Sequence, residues 1–86
     1  MKHASHPGIS TRLKRAEGHL RSVIAMIEDG RPCLDLAQQL HAVESAVSNA
    51  KRELIHDHIE HCLEEPSERA GQRATLKELK ALTKYL

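Results

Sequence analysis

The stretch CLDLAQQLHAVESAVSNAKRELIHDHIEHCLEE, residues 33–65, contains neither glycine nor proline. Its apolar residues recur at intervals of three and four, which is the period of an amphipathic helix. The stretch therefore predicts one helix of about thirty residues, which is long for a globular protein and typical of a helix that packs on a coiled-coil partner. The apolar positions are Leu36, Leu40, Val43, Val47, Ala50, Leu54, Ile55, Ile59 and Leu63.

Another helix is predicted before this long one. Pro7 suits a first helical turn, because its missing N–H is not needed there. Gly30 tolerates the left-handed conformation, so Asp29-Gly30 is expected to end the helix and Pro32 to start the next. The apolar positions of this helix are Ile9, Leu13, Ala16, Leu20, Val23, Ile24 and Ile27.

A short helix is predicted at the end of the chain. Pro66 stops the long helix, and Gly71 leaves the residues around it irregular or weakly helical. Thr75-Leu76-Lys77-Glu78 has the pattern of a capping box and is expected to open the last helix. Since no segment alternates like a strand, the predicted fold class is all-α, three helices with a long central one.

The 86 residues are predicted to form a single domain, residues 1–86, with residues 1–8 as a mobile N-terminal arm. A domain this small buries only roughly 60–65% of the surface of its unfolded chain, so a monomer would be marginal. Phe and Trp are absent and there is one Tyr, so oligomerisation is expected to supply the missing burial.

The sequence also indicates a compartment. No apolar run approaches the length of a membrane span, and MKHASHPGIS has no apolar core of a signal peptide. Two cysteines without a secretion signal favour free thiols in a reducing cytoplasm over a disulfide. We therefore expect a cytoplasmic protein with no membrane partner.

The basic residues are unevenly distributed. The first 23 residues carry five basic side chains against one acidic one, a balance of +4, which leaves −3 for the rest of a chain of net charge +1. Such asymmetry indicates a basic face that could bind nucleic acid, although a solvated helix face has the same composition. The charged residues are Lys2, Arg12, Lys14, Arg15, Arg21 and Glu17.

Cysteine and histidine residues of the long helix share one face. At about 100° per residue, His58 lies about 20° short of seven full turns from Cys33, and Cys62 lies about 20° past eight. His56 and His61 fall about 140° and 80° away on either side. Helical phase therefore selects Cys33, His58 and Cys62, and the last two are also an i, i+4 pair that could chelate one ion.

One straight helix cannot bring these three residues together. Cys33 lies roughly 38 Å from His58 along the axis. Two copies packed antiparallel would bring the start of one long helix to the end of the other, with a twofold axis near residues 45–48. The sequence thus predicts an antiparallel dimer with two equivalent sites, each formed by Cys33 of one subunit and His58 and Cys62 of the other.

The donor set indicates which metals would fit. Two thiolates and one imidazole suit Cu(I), whereas a fourth nitrogen would suit Ni(II), Co(II) or Zn(II). His3 and His6 of the N-terminal arm could supply that nitrogen. The alternative is that both cysteines are buried thiols and that His58 is a hydrogen-bonded interface histidine.

Several stretches match one known family. The segment RLKRAEGHLRSVIAMIEDGRPC, residues 12–33, looks like the family's first helix and turn, and LAQQLHAVESAV, residues 36–47, resembles its central helix. The order Cys33, His58, Cys62 matches its metal-binding signature. Over nearly its whole length the chain therefore resembles the CsoR/RcnR/FrmR family of bacterial metal- and formaldehyde-sensing repressors.

The resemblance implies an antiparallel dimer that forms a four-helix bundle, and a tetramer made of two such dimers. It also implies that the metal-free protein binds operator DNA and that ligand binding releases it. Arg12 and Arg15 match basic residues implicated in DNA contact, and Lys14 is their neighbour. Glu78 matches an acid that couples the metal site to DNA affinity in copper sensors, where His58 would direct its other ring nitrogen to it.

The sequence departs from the family at two positions. Many members have an arginine where this chain has Glu44, so one expected DNA contact is missing. Copper sensors often have a tyrosine before the first cysteine, where this chain has Pro32. Among the subclasses, Lys2 argues against formaldehyde sensors, which have proline there, and His58 argues against persulfide sensors, which lack the histidine.

The predicted function is a metal-responsive repressor, with Cu(I) favoured and Ni(II) or Co(II) as the alternative. A cytosolic metal buffer or chaperone without a DNA role would use the same ligands, and a helical adaptor with incidental cysteines is a further alternative. No nucleophile–base pair or phosphate-binding glycine loop is present, so neither an enzyme nor a small-molecule substrate is expected.

Overall fold

The computed structural model describes the backbone of residues 6–64 and 69–86, and the side chains of residues 6–61 and 76–86. These ranges hold three α-helices and a final 3₁₀ turn, and they contain no strand. The predicted all-α fold with a long central helix is confirmed. The elements are α1 (His6–Glu28), α2 (Cys33–Glu64), α3 (Arg69–Leu82) and the 3₁₀ turn Thr83–Tyr85.

The turn between α1 and α2 forms as the sequence predicts. Gly30 has a φ of 74°, the left-handed conformation that favours glycine. Its N–H donates to the carbonyl of Ile27 at 3.1 Å, and the N–H of Arg31 donates to that of Met26 at 3.0 Å. This pair of bonds is a Schellman motif, which satisfies the last carbonyls of α1 and reverses the chain.

The core lies between α1 and α2, which run antiparallel as a hairpin. The buried residues of α1 are spaced seven positions apart, and two of the buried residues of α2 have the same spacing, as in the seam of a coiled coil. Such spacing places one narrow row of apolar side chains on each helix in contact with the other helix. The buried apolar residues are Ile9, Ala16, Val23, Val43, Ala50 and Ile55.

A second pair of apolar rows remains exposed. Each row is displaced by four positions, about 40°, from the buried row of its own helix. Because the helices are antiparallel, these displacements point to the same side of the hairpin. We call this surface the apolar face; its members, each 39–53% exposed, are Leu13, Leu20 and Ile27 of α1 and Leu40, Val47 and Leu54 of α2.

The protomer is elongated, with extents of 58 × 23 × 14 Å. It exposes 6904 Å² of surface. A compact monomer of 9.6 kDa would expose about 5,100 Å², roughly 1,800 Å² less. Despite the length of α2, no helix among the described residues is apolar enough over a sufficient length to cross a membrane.

Two predicted boundaries are wrong. The last helix begins at Arg69 and not at the predicted capping box of Thr75, so Gly71 lies inside it. A helical glycine costs only about 1 kcal/mol relative to alanine, and the neighbouring Ala, Gln and Arg residues are good helix formers. Residues 6–8, assigned to the N-terminal arm, are the first turn of α1, where Pro7 needs no N–H partner. Residues 1–5 of that arm lie outside the described range.

Candidate metal centre and nucleic-acid interface

Cys33 is the first residue of α2, and its side chain is exposed. The carbonyl of Pro32 accepts the first helical hydrogen bond from the N–H of Leu36 at 3.1 Å, which places Cys33 in the opening turn. Because the thiol faces solvent, the alternative of a buried structural cysteine does not describe this residue in the protomer.

His58 lies near the other end of α2, where α3 packs against it. Its side chain is 24% exposed, and its Nε2 is 3.4 Å from Oε1 of Glu78 on α3. This distance exceeds that of a typical N–H···O hydrogen bond, so the two side chains are close without forming a well-aligned hydrogen bond to each other. The structure therefore brings together His58, a predicted ligand, and Glu78, the acid that the family resemblance pairs with it.

A cavity of about 220 Å³ opens beside this pair. His6, at the start of α1, lines it together with His58 and Glu78. The other lining residues among the described side chains are apolar and include Leu54 of the apolar face. Of the two N-terminal histidines predicted as additional ligands, His6 thus lies at the candidate site, and His3 falls outside the described residues.

One protomer does not assemble the predicted ligands. Cys33 and His58 are 25 residues apart on one uninterrupted helix, roughly 38 Å. Among the described side chains, no three His, Cys, Asp or Glu residues lie close enough together to hold a metal ion. Cys62 belongs to α2, but its side chain is outside the described part of the chain.

The predicted DNA-binding residues Arg12, Lys14 and Arg15 are all exposed on α1. Arg12 lies three positions after Ile9, about 60° around the helix and away from the apolar face. A groove of about 450 Å³ runs between α1 and α2 on this side. Its lining residues are Arg12, Arg15, Ala16, His19, Ala46 and Asn49.

Two polar contacts that tie α1 to α2 were not predicted from the sequence. Nη1 of Arg12 pairs with Oε2 of Glu53 at 2.5 Å. Nε2 of His19 lies 2.6 Å from Oε1 of Gln39 in a partly buried contact. The members of each pair lie at comparable distances before and after the turn at Gly30, which shows that they could be neighbours, but the sequence does not specify the register that decides which residues meet.

Comparison with known proteins identifies the family of this small three-helix protein. Residues 5–85 match the family described as metal-sensitive transcriptional repressor. The chain belongs to this family, whose members are repressors of transcription and not enzymes.

Characterised relatives agree with this assignment. The chain is 35% identical over 71 residues to the copper-sensing transcriptional repressor CsoR of Bacillus subtilis (strain 168), covering 83% of this chain and 70% of that protein. It is 32% identical over 74 residues to CsoR of Mycobacterium tuberculosis (strain ATCC 25618 / H37Rv), covering 86% of this chain and 62% of that protein. The structure of the nickel-responsive transcriptional regulator InrS superposes with a TM-score of 0.81 at 30% identity, covering 100% of this chain and 98% of that one.

Proposed function

We propose that this chain is a repressor that binds operator DNA when metal-free and leaves the DNA when a thiophilic metal binds, with Cu(I) favoured. The observation that carries the proposal is the placement of Cys33 and His58 at opposite ends of α2, with an exposed apolar face between them. One protomer leaves this arrangement incomplete, and two antiparallel protomers would complete it.

An antiparallel second copy would cover the apolar face. Leu40 and Leu54 lie seven residues before and after Val47, so a twofold axis near Val47 would place each Leu40 opposite Leu54 of the partner subunit. About the same axis, Cys33 would lie opposite position 61 of the partner subunit, between its His58 and Cys62. The surface that the protomer exposes beyond a compact monomer, roughly 1,800 Å², supports such a four-helix dimer. A tetramer of two such dimers is the assembly that the family resemblance predicts.

The donor chemistry supports a soft cation. When bound, the metal would link two thiolates and one imidazole across the subunits, a set that suits Cu(I). With Nε2 directed at Glu78, Nδ1 of His58 would be the coordinating nitrogen. The proton would then stay on Nε2, and the Glu78 carboxylate would attract it more strongly, which ties α3 to α2.

DNA release would follow from a shift of the helices. Arg12, Lys14 and Arg15 are exposed on α1, and α1 packs directly on α2. A displacement of α2 would therefore carry α1 with it and alter the spacing between the two copies of this cation cluster in the dimer. Contacts of this kind with phosphates are electrostatic and weaken with salt. By linkage, DNA would weaken metal binding by the factor by which metal weakens DNA binding.

A Ni(II) or Co(II) sensor is the second candidate, and His6 is the observation that favours it. His6 borders the same cavity as His58 and Glu78, so a fourth nitrogen is within the site region. InrS, which has the same fold at 30% identity, is a nickel-responsive regulator.

The test is an anaerobic titration of the reduced, metal-free protein with Cu(I) and, separately, with Ni(II), while the anisotropy of a labelled duplex from its own promoter is followed. We expect Cu(I) to release the DNA, and His58→Ala to abolish the release. Release by Ni(II) that is weakened in His6→Ala would assign the second candidate. Metal binding without DNA binding in either state would refute the repressor and favour a metal buffer.

A further inference from the structure

One of the three predicted DNA-binding cations is already paired within the protein. Nη1 of Arg12 on α1 lies 2.5 Å from Oε2 of Glu53 on α2, and the two side chains are 58% and 38% exposed. Neither Lys14 nor Arg15 has a carboxylate partner among the ion pairs of the described side chains. Arg12 thus differs from its neighbours in being held by an acid of another helix.

The partner of Arg12 has the same chemistry as a DNA phosphate. A guanidinium binds carboxylates and phosphates through the same planar fork of N–H donors. Arg12 and Arg15 line the same groove between α1 and α2, so a phosphate that binds Arg15 there also lies near the Arg12–Glu53 pair. A phosphate that takes the Nη1 donor of Arg12 displaces Glu53, and one that binds another N–H of the same guanidinium lies close to the Glu53 carboxylate and is repelled by it.

We propose that Glu53 competes with DNA phosphate for Arg12 and thereby sets the DNA affinity of the metal-free repressor. The inference rests on the proposed function and adds to it a residue that positions a DNA-binding cation. Glu53 also fixes where the Arg12 side chain lies across the α1–α2 interface. Its acidic charge therefore lowers DNA affinity through one specific cation and not only through the net charge of the protein.

Glu17 provides a matched control. It pairs with Arg21 at 3.6 Å within α1, and both side chains are more exposed, at 66% and 77%. Glu53→Gln and Glu17→Gln remove the same charge, so their difference reports the competition for Arg12. An exposed ion pair of this kind changes an equilibrium by about 1.4- to 5-fold, and a dimer would carry two copies of it.

The experiment measures the affinity of the full-length, metal-free protein for a labelled promoter duplex at fixed salt, with helicity checked by circular dichroism. We expect Glu53→Gln to bind about three- to tenfold more tightly than wild type and Glu17→Gln to bind less than twofold more tightly. In an Arg12→Gln background the gain from Glu53→Gln should fall to that of Glu17→Gln, because no guanidinium is left to compete for.

Three outcomes would overturn the inference, and they differ from one another. Equal gains for Glu53→Gln and Glu17→Gln would reduce the effect to net charge. An undiminished gain in the Arg12→Gln background would show that Glu53 acts on DNA directly. Absence of DNA binding by wild-type protein at low salt would instead refute the proposed repressor function, and the role of Glu53 would fall with it.

Discussion

Val47 lies at the centre of the apolar face, and a charge there tests the proposed dimer most directly. Val47 is 46% exposed in the protomer, whereas Val43, four positions earlier, is buried against α1. A dimer with its twofold axis near Val47 would bring the two copies of this residue close together. Val47→Glu would then place two like charges side by side in an apolar interface.

The expected loss can be estimated from the exposed area. An exposure of 46% leaves roughly 70 Å² of the Val47 surface for the interface to bury, about 1.7 kcal/mol per subunit at 25 cal/mol per Å². Two subunits together lose about 3.5 kcal/mol, and the burial of two unpaired carboxylates adds several kcal/mol more. The dimer dissociation constant should therefore rise by at least about three orders of magnitude.

Sedimentation equilibrium over a range of protein concentrations measures this constant. We expect wild-type protein to be associated at micromolar concentration and Val47→Glu to be monomeric or partly unfolded. Gln38→Glu is the matched control, because Gln38 is exposed on the same helix and lies about 180° around it from Val47. A Val47→Glu protein that associates as tightly as Gln38→Glu would refute the assignment of the apolar face as the dimer interface.

Three further predictions concern the sites and the turn. Cys33→Ala should bind promoter DNA like wild type and lose its response to metal in the anisotropy titration; an unchanged response would remove Cys33 from the site. Arg15→Ala should weaken DNA binding. It should also reduce the magnitude of the slope of log affinity against log salt concentration by about 0.9 for each phosphate that the protein no longer neutralises. An unchanged slope would exclude a phosphate partner for Arg15. Gly30→Ala should lower the melting temperature by about 4–8 °C, because a residue with a Cβ adopts a φ of 74° at a cost of about 1 kcal/mol. A steric clash would not contribute, since nothing lies within 4 Å of the added Cβ. Gly18→Ala, in helix α1 with equally open space, should raise the melting temperature, and a fall in both variants would refute the conformational explanation.

The elements of the fold were predictable where the signal is local. The long helix follows from an uninterrupted apolar period, and the turn follows from Gly30, the one described glycine with a positive φ. The start of α3 was not predictable, because Gly71 and Thr75 suggest that the helix begins at Thr75. The helix-forming residues around Gly71 extend it back to Arg69. The apolar period also could not separate buried from exposed rows: Val43 and Val47 belong to the same sequence stripe, and only the packing of α1 shows that Val43 is buried within the hairpin.

Of the candidate site, helical phase could predict only where the proposed ligands lie along and around α2. Phase placed Cys33 and His58 on one stripe and separated them along the helix, and the structure keeps them at opposite ends of α2. The approach of Glu78 to His58 depends on how α3 packs, and in the sequence it followed only from the family resemblance. The pairing of Arg12 with Glu53 depends on the register of the hairpin, which no local pattern specifies.

If the site is shared between subunits, metal binding and dimerisation are one equilibrium. Suppose that the metal binds two sites on the dimer and does not bind the monomer. At a free metal concentration 100 times its dissociation constant, each site should stabilise the dimer by about 2.7 kcal/mol. The two sites together should lower the dimer dissociation constant about 10,000-fold. Val47→Ala should weaken the dimer enough for this shift to be measured by sedimentation with and without Cu(I). The shift should vanish when Cys33→Ala is added, since that change removes the thiolate that the second subunit contributes. A Val47→Ala protein that binds Cu(I) equally well as monomer and dimer would show that each protomer holds its own ion, and the intersubunit site would be wrong even if the protein is a repressor.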